Sequence, residues 1–319
     1  MSQPQAHGLS RRRILGGMAA GAATAGAGTL FPLRGTSAGA QTVHKFADLE
    51  AIVVSDGHFF LPTGFLVSPD APAAEKEAVL SAAGQTGDQF QLVNNVVVIR
   101  RQSDLILVDA GTGPRHQPTA GKLVGNLRAA GIPPADVTTV VLTHGHPDHL
   151  WGILDAGDNP IYPKASYVIS AREWDLWADP DVLQRLPAAL PKERIVSGAQ
   201  SHFARIKDKV RMVRGGEEIV SGVRVIDTSG HTQGHISLEL AGGDGMVIGG
   251  DALTNAIISF RYPSWRVPVD HEPDRSISTR LRLLDQLASG KQRLVGAHLP
   301  FPGAGFVERK DGAYRFVPV

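Results

Sequence analysis

Short apolar runs, each ended by glycine or by a polar cluster, recur along this chain from about residue 50 onward. Runs of this kind that are rich in β-branched residues are typical of buried strands. Two of them, 51–57 and 58–62, flank Asp56-Gly57 and predict a hairpin that turns there. The remaining runs predict strands at 93–100, 104–108, 137–142, 166–170, 210–213, 218–220, 223–227, 236–240, 246–248 and 293–295.

Segments with a helical spacing of apolar residues lie between these strands. Leu123 and Leu127 share one face of the helix predicted at 119–130, and Gly131 ends it. Strands in both halves of the chain, with helices among them, favour a layered α/β sandwich over a purely parallel sheet. No linker or repeat follows residue 40, so we predict a single domain at 41–319. The other predicted helices are 70–83, a helix containing Trp174 and Trp177, 200–207 and 276–288, whereas 256–275 is predicted to be irregular.

The first 40 residues have the composition of an export signal. Ser10-Arg11-Arg12-Arg13-Ile14-Leu15 is followed by an uncharged Ala/Gly-rich run, and Ala38-Gly39-Ala40 resembles a cleavage site. Paired arginines favour the twin-arginine route, which carries proteins that have already folded. The apolar run is too short and too rich in glycine for a membrane span. We therefore predict a cleaved twin-arginine signal at 1–40 and a periplasmic or secreted protein.

Removing this segment changes the sign of the net charge. It holds four of the 32 Lys and Arg residues and none of the 31 Asp and Glu residues, which leaves 28 basic and 31 acidic residues. The slightly acidic remainder gives no reason to expect nucleic-acid binding. Cysteine is absent, so disulfides cannot stabilise an exported form, and a metal-containing core is one substitute.

The densest group of potential metal ligands is Thr143-His144-Gly145-His146-Pro147-Asp148-His149, directly after the strand predicted at 137–142. Three of the chain's 12 histidines fall here. A helix is predicted to begin near Asp148, behind Pro147. Neutral imidazole and carboxylate together suit zinc and similar divalent ions. Four such groups are more than one tetrahedral site conveniently uses, so the motif favours two metal ions side by side.

Three further candidates each follow the end of a predicted strand: His231, Asp251 and His298. Each alone is more simply an ordinary hydrogen-bonded residue. Ligands delivered from several strand ends can, however, converge at one edge of a rigid sheet scaffold. Beside the His-rich motif, we therefore expect all three to complete the metal site.

The pattern His-x-His-x-Asp-His, with these later residues, resembles the metallo-β-lactamase fold superfamily over residues 50–300. Asp109-Ala110-Gly111 and Gly230-His231-Thr232-x-Gly234-His235 fit that family too. The resemblance implies a four-layer αββα sandwich with the site at the edge between two β-sheets. It also implies two divalent metal ions, with Zn²⁺ expected, and a hydroxide that bridges them. The implied ligands are His144, His146 and His231 for one metal, Asp148, His149 and His298 for the other, and Asp251 for both.

Residue chemistry separates the branches of that superfamily. Zinc β-lactamases need a Cys ligand or lack the bridging carboxylate, whereas this chain has no Cys and has Asp251. Di-iron members carry Glu at the position of His146, and a mononuclear iron dioxygenase would not need the second set of ligands. A dinuclear hydrolase of the lactonase, thioesterase, phosphodiesterase or phosphotriesterase kind remains.

The C-terminal residues 297–303 and 312–319 resemble those of the exported methyl parathion hydrolase-like subfamily. The chain departs from that subfamily where a substrate pocket is expected, at His116, at Trp151 and in the irregular stretch 256–275. The resemblance of the tail therefore says less about the substrate than about the branch of the family.

The leading hypothesis is a dinuclear hydrolase that uses a bridging hydroxide to cleave an aryl phosphotriester, a lactone or an aryl ester. Asp251 and Asp148 are the candidate catalytic residues, because Asp251 would fix the metal spacing and steer the hydroxide proton. The alternatives are a thioesterase or glyoxalase II-like hydrolase and a non-catalytic metal-binding protein on the same fold. We expect a small-molecule substrate, no nucleic acid and no stable membrane insertion after signal cleavage, and leave a homodimer open.

Several other residues have weaker assignments. Asp109 and His235 are expected to orient ligands through hydrogen bonds. Tyr262 is more simply a packing residue than a proton donor. Four aromatic residues are candidates for the pocket, although each is more simply a core residue: Trp174, Trp177, Phe260 and Trp265. The isolated histidines are interpreted as surface residues: His7, His44, His58, His202 and His271.

Overall fold

A computed structural model describes residues 41–46, 48–84 and 88–319. The export signal predicted at 1–40 lies outside the described residues. Two seven-stranded β-sheets face each other, and helices cover their outer faces. The predicted α/β class and the four-layer αββα order are therefore confirmed.

The first sheet holds the first seven strands in the order in which the chain makes them. Neighbouring strands are antiparallel from β1 to β4 and parallel from β4 to β7. The strands are β1 (Gln41–Phe46), β2 (Leu49–Pro62), β3 (Gln89–Arg101), β4 (Asp104–Val108), β5 (Thr139–Val141), β6 (Ser166–Ser170) and β7 (Val210–Val213).

The second sheet holds the last seven strands, again in chain order across the sheet. Every neighbouring pair in it is antiparallel except β11 and β12, which are parallel. The strands are β8 (Glu218–Val220), β9 (Val223–Asp227), β10 (Ile236–Leu240), β11 (Met246–Ile248), β12 (Arg293–Val295), β13 (Ala304–Lys310) and β14 (Ala313–Pro318).

Helices pack on the two outer faces. Helices α2, α4 and α6 cover the first sheet, and α8 covers the second through Leu283, Leu284 and Leu287. Short single-turn helices connect these layers. The helices are α1 (Ala73–Ala82), α2 (Leu123–Ala129), α3 (Pro147–Leu150), α4 (Ala171–Ala178), α5 (Val182–Arg185), α6 (Lys192–Ile206), α7 (Ile258–Arg261) and α8 (Pro273–Gly290).

Burial on both faces explains why the central strands are continuous apolar runs. In β3, Val96 and Val98 pack under the helices, whereas Val97 and Ile99 point between the two sheets. A strand covered on both faces has no polar side, so its sequence does not alternate. The sequence therefore predicts these strands from the short length of each apolar run and from the polar residues that end it, not from an alternating pattern.

The hairpin predicted at 51–62 is wrong, because the whole segment is one strand. β2 runs through Asp56-Gly57 and pairs with β3 along its length, with a register shift between Ser55 and Gly57. Gly57 adopts a φ of +99°, which favours glycine. The Asp-Gly pair therefore forms a β-bulge rather than a turn.

Other differences from the predicted elements are smaller. The helix predicted at 200–207 begins earlier, as α6, and the irregular stretch 256–275 contains the single turn α7. The C-terminal strands β13 and β14, and the edge strand β1, were not predicted. Within the described residues, no helix combines the length and the hydropathy that a membrane span requires.

Candidate metal centre

The seven predicted ligands converge at one edge of the sandwich, because both sheets end their strands there. The motif from Thr143 to His149 follows β5 of the first sheet, and Pro147 begins α3 as predicted. His231 follows β9, Asp251 follows β11 and His298 follows β12, all in the second sheet. The site therefore depends on the docking of two sheets.

The described residues contain three overlapping groups of possible ligand atoms, and within each group all the atoms lie within 4.8 Å of one another. In the first, His146 Nδ1 lies 3.1 Å from His231 Nε2. In the last, the Asp148 carboxylate lies 3.3 Å from His149 Nε2 and 3.2 Å from His298 Nε2. The groups are His144, His146 and His231; His144, His149 and Asp251; and Asp148, His149 and His298.

Asp251 joins the two ends of the cluster. Its Oδ2 atom lies 3.3 Å from His231 Nε2. Its Oδ1 atom lies 3.3 Å from His149 Nε2 and 3.2 Å from His298 Nε2. One carboxylate therefore presents a different oxygen to each histidine group.

The unpartnered atoms of this cluster fit divalent cations. His144 Nε2, His149 Nε2 and Asp251 Oδ1 are buried and have no hydrogen-bond partner in the part of the chain that the structure describes. Zinc bonds of about 2.0–2.1 Å in a tetrahedron place neighbouring ligand atoms roughly 3.3 Å apart. The separations of 3.1–3.3 Å within the cluster match that spacing. The His and Asp residues of the cluster can therefore hold metal.

Hydrogen bonds on the opposite ring nitrogens aim these imidazoles. His149 Nδ1 lies 2.8 Å from Asp109 Oδ2, and His298 Nδ1 lies 2.8 Å from the Val93 carbonyl. Because an acceptor holds the proton on Nδ1, the lone pair of Nε2 faces the cluster. Asp109 has the orienting contact expected for it.

His235 supports the cluster from outside it, as expected. Its Nε2 accepts a hydrogen bond of 2.9 Å from the backbone N–H of Asp251. Burial lowers the pKa of His235 to about 3, so the ring is neutral and Nδ1 carries the proton toward Thr228. This contact fixes the backbone from which the Asp251 carboxylate projects.

The electrostatic field differs between the two ends of the cluster. Burial and the neighbouring imidazoles lower the pKa of His144 and of His146 well below its ordinary value. Burial also lowers the pKa of His298, but the carboxylates of Asp251 and Asp148 outweigh it and raise that pKa to about 10. The carboxylate end of the cluster therefore favours a positive charge, and the other end offers neutral donors.

The structure adds three supporting residues that the sequence analysis did not identify. Asp270 Oδ1 lies 3.0 Å from His231 Nδ1, and its Oδ2 accepts from the buried Arg280 guanidinium at 3.0 Å. Glu173, also buried, accepts hydrogen bonds from the backbone of both ligand loops. All three act through residues that are distant in the sequence, so no short sequence motif indicates their role.

Three histidines interpreted as surface residues are buried or largely so. His44 and His202 are 8% and 5% exposed, and His202 stacks on Trp151. His271 lies against the cluster, with its Nε2 atom 3.3 Å from His146 Nε2. His58 is partly exposed, and His7 lies outside the described residues.

A cavity opens onto the cluster, and its walls differ from those predicted. Asp148, Asp251 and His298 line its floor, and His116 and Trp151 line it as expected. The four candidate aromatic residues do not line it: Trp174 packs on Phe203, Trp177 donates to Glu173, Phe260 packs on Phe316, and Trp265 stacks on Tyr262. The apolar walls are Phe59, Leu61, Phe65, Leu66, Leu92, Leu190, Ile195 and Val269.

Comparison with known proteins agrees with this geometry. The model of the Metallo-beta-lactamase superfamily matches residues 90–298. The structure of AidC, a dizinc quorum-quenching lactonase with the product N-hexanoyl-L-homoserine, is similar at a TM-score of 0.81 and 26% identity, over 88% of this chain and 97% of that one. The hydrolase AbOPH, in the beta lactamase superfamily, matches at a TM-score of 0.81 and 28% identity, over 89% and 98%.

A curated relative, Metallo-beta-lactamase domain-containing protein 1 of Xenopus laevis, is 28% identical over 205 residues. That match covers 62% of this chain and 69% of the relative. The family model covers more than half of the chain and includes all seven predicted ligands, from His144 to His298. With its two packed sheets and its cluster of His and Asp residues at their shared edge, the chain belongs to the metallo-β-lactamase superfamily.

Proposed function

We propose that this chain is a dinuclear metal-dependent hydrolase of ester-type bonds, acting on a lactone, an aryl ester or an aryl phosphotriester. The observation that carries the proposal is the placement of Asp251, whose two oxygens face different histidine groups. A carboxylate so placed is suited to holding two cations at a fixed separation. Two divalent ions bound there would lower the pKa of a shared water to about 7 and supply the nucleophile.

The residues of the chain prepare the site for that chemistry. Asp109 and Asp270 keep the Nε2 atoms of His149 and His231 turned toward the cluster. Asp148 adds a second carboxylate beside His298. The apolar cavity walls reduce the amount of water around the reacting bond, which strengthens electrostatic interactions there.

A lactone or aryl ester agrees best with the pocket and with the relatives. The cavity has apolar walls beside the metal ligands, as expected for an acyl or aryl group next to a polar reacting centre. AidC, which this chain resembles in fold and in sequence at 26% identity, is a lactonase. Aryl esters should react readily, because their phenolate leaves without needing a proton.

We further propose that the chain belongs to the methyl parathion hydrolase-like branch and is exported as a single domain, 41–319, after cleavage of residues 1–40. The residues at 297–303 and 312–319 support the branch, and the arginines and the Ala-Gly-Ala segment near the N-terminus support export. Detection of a mature N-terminus at Gln41 in the periplasm of an expressing cell would test the second part.

The experiment that tests the activity compares the wild type with Asp251→Ala. We expect about two metal ions per wild-type chain and hydrolysis of aryl esters or lactones. The substitution should lower the bound metal toward one ion and lower kcat/KM by about 100-fold or more, because it removes the shared ligand. Metal is measured by mass spectrometry, and activity with 4-nitrophenyl esters, lactones, thioesters and aryl phosphotriesters.

Asp244→Ala is the matched control. Asp244 is exposed in the turn before β11, the strand that Asp251 follows. It should change neither metal content nor rate. About one metal per wild-type chain, or full activity in Asp251→Ala, would overturn the dinuclear proposal. A strong preference for thioesters would favour the glyoxalase II-like alternative. Full metal occupancy without turnover of any ester would favour a non-catalytic protein.

A further inference from the structure

One arginine lines the cavity, beside the apolar walls and apart from the His and Asp residues of the cluster. Arg194 lies in the first turn of α6, and its guanidinium carbon is 5.2 Å from the centre of the Trp151 ring. Its Nη2 atom donates a hydrogen bond of 3.1 Å to the Arg115 carbonyl. Arg115 itself pairs with Asp158 at 2.6 Å, whereas Arg194 forms no ion pair with any described residue. The charge of Arg194 is therefore held in place but not neutralised.

A second polar group with an unused hydrogen-bonding atom lines the same wall. The His116 ring lies 5.1 Å from the Phe59 ring and 6.3 Å from the Trp151 ring, both edge to face. Its Nδ1 atom is buried and has no partner among the described residues. Trp151 thus contacts both Arg194 and His116, and the three side chains form one wall of the cavity.

Arginine in this setting is well suited to an anion. Its planar guanidinium binds carboxylate oxygens through paired N–H donors and is more weakly hydrated than an ammonium group. Stacking on an aromatic ring restricts its orientation without using those donors. A molecule in the cavity can reach both this wall and the metal ligands, because Asp148 and Asp251 line the same space.

We propose that Arg194, supported by Trp151 and His116, binds a carboxylate-type anionic group of the substrate, whose reacting ester lies at the metal ligands and whose body is apolar. This inference rests on the proposed hydrolase function and names the class of ester that the site selects. The eight apolar side chains of the cavity contact the body of that substrate, and the guanidinium binds its charged end.

Two esters that differ in one charge test this inference: 4-nitrophenyl butyrate and the mono-4-nitrophenyl ester of glutarate. We expect the wild type to have the higher kcat/KM for the glutarate ester. Arg194→Gln should lower that kcat/KM by about tenfold, mainly through KM, because the lost ion pair lies away from the reacting bond. The butyrate reaction should stay within about twofold. The advantage of the glutarate ester should also shrink at high salt.

Arg205→Gln is the matched control, because it removes the same charge from the exposed surface of the same helix. It should leave the preference for the glutarate ester unchanged. Metal content and melting temperature of each variant show whether the site itself is intact. Equal losses for both esters in Arg194→Gln would mean that Arg194 only supports Trp151, and would overturn the inference. A wild type without any preference would do so too. Hydrolysis of neither ester would also overturn the inference, and the proposed function itself would fail only if lactones and aryl phosphotriesters were not hydrolysed either.

Discussion

In each histidine of the His and Asp cluster, the hydrogen bond made by one ring nitrogen decides whether the lone pair of the other nitrogen faces the cluster. A carboxylate lies against Nδ1 of His149 and of His231, and a backbone carbonyl lies against Nδ1 of His298, so each ring presents Nε2 to the cluster. His146 differs, because its Nδ1 atom faces the cluster and its Nε2 atom lies 3.3 Å from His271 Nε2. If His146 keeps its proton on Nε2, His271 must be the acceptor. A neutral imidazole would then fix the tautomer of a ligand.

This role predicts different metal affinities for two variants of His271. His271→Leu removes the acceptor and should weaken metal binding by about 10–100-fold. His271→Gln restores an acceptor oxygen and should stay within about threefold of the wild type. Competition with a chelator of known affinity measures the change.

His44→Leu is a suitable control, because His44 is also buried but hydrogen-bonds to Arg293 and, among the described residues, to none of the seven predicted ligands. It should leave the metal affinity unchanged. Equal affinity in His271→Leu and His271→Gln would contradict an acceptor role and reduce His271 to a packing residue.

At the scale of single residues, the sequence identified the members of the His and Asp cluster more readily than the residues that support them. His144 and Asp148 lie in a short motif directly after a strand, so spacing alone marked them. His271 and Asp270 lie in an irregular stretch, and only the fold of residues 267–273 brings them under the ligands. An isolated histidine has no neighbouring ligands in the sequence, which is why the sequence predicts a surface position for His271. Burial by distant contacts leaves no local signal.

Helix α4 joins the two loops that carry His146 and His231 through one carboxylate. Glu173 in its first turn is fully buried, and its Oε1 accepts from the Gly145 N–H at 2.9 Å and from Trp177 Nε1 at 2.7 Å. Its Oε2 accepts from Thr232 Oγ1 at 2.6 Å and from the Gly234 N–H at 3.0 Å. One carboxylate thus joins the loop of His146 to the loop of His231.

Glu173→Gln should therefore be more damaging than its similar shape suggests. The amide N–H₂ replaces an acceptor with a donor, so it faces two N–H or O–H donors and leaves them unpaired. We expect the free energy of unfolding to fall by about 2–4 kcal/mol and metal to be bound more weakly. Urea unfolding of the metal-loaded and the chelated protein measures both effects.

Glu193→Gln, in the exposed first turn of α6, should leave stability within about 0.5 kcal/mol of the wild type. If Glu173→Gln is equally neutral, the four hydrogen bonds contribute no net stability. The donors would then have found other acceptors.

The sequence predicted strands correctly where polar residues or glycine end a short apolar run. It was wrong for β2, which continues through Asp56-Gly57, a pair that is typical of turns. Strands β6 to β12 have short apolar runs with polar ends, and their predicted positions agree with the structure. In β2 the Asp56 side chain accepts hydrogen bonds from Thr112 and Leu123 instead of closing a turn. Those partners lie more than 50 residues away, so the sequence nearby could not distinguish a bulge from a hairpin.

Over the whole molecule, the described histidines are concentrated inside the sandwich, where burial penalises a charged ring. Burial is the largest cause that lowers the pKa of His202, and the same holds for His44. Neither belongs to the metal cluster. A folded-state pKa below the unfolded value of about 6.5 means that the unfolded chain binds more protons below that pH. Each such histidine therefore destabilises the fold as the pH falls from about 6.5 toward its folded pKa.

His202→Gln should flatten that acid loss of stability. The glutamine cannot titrate, and its N–H₂ can donate to the Gly198 carbonyl that His202 Nδ1 contacts at 2.7 Å. Below about pH 6.5 the variant should lose stability less steeply than the wild type, by up to about 1.4 kcal/mol per pH unit for one proton. Urea unfolding at pH 5–8 with the same metal concentration measures the two curves, which should run parallel above about pH 7.5, where the ring is neutral in both states. Parallel curves throughout would mean that His202 takes up a proton as readily inside the fold as in the unfolded chain, and that other titrating groups account for the acid sensitivity.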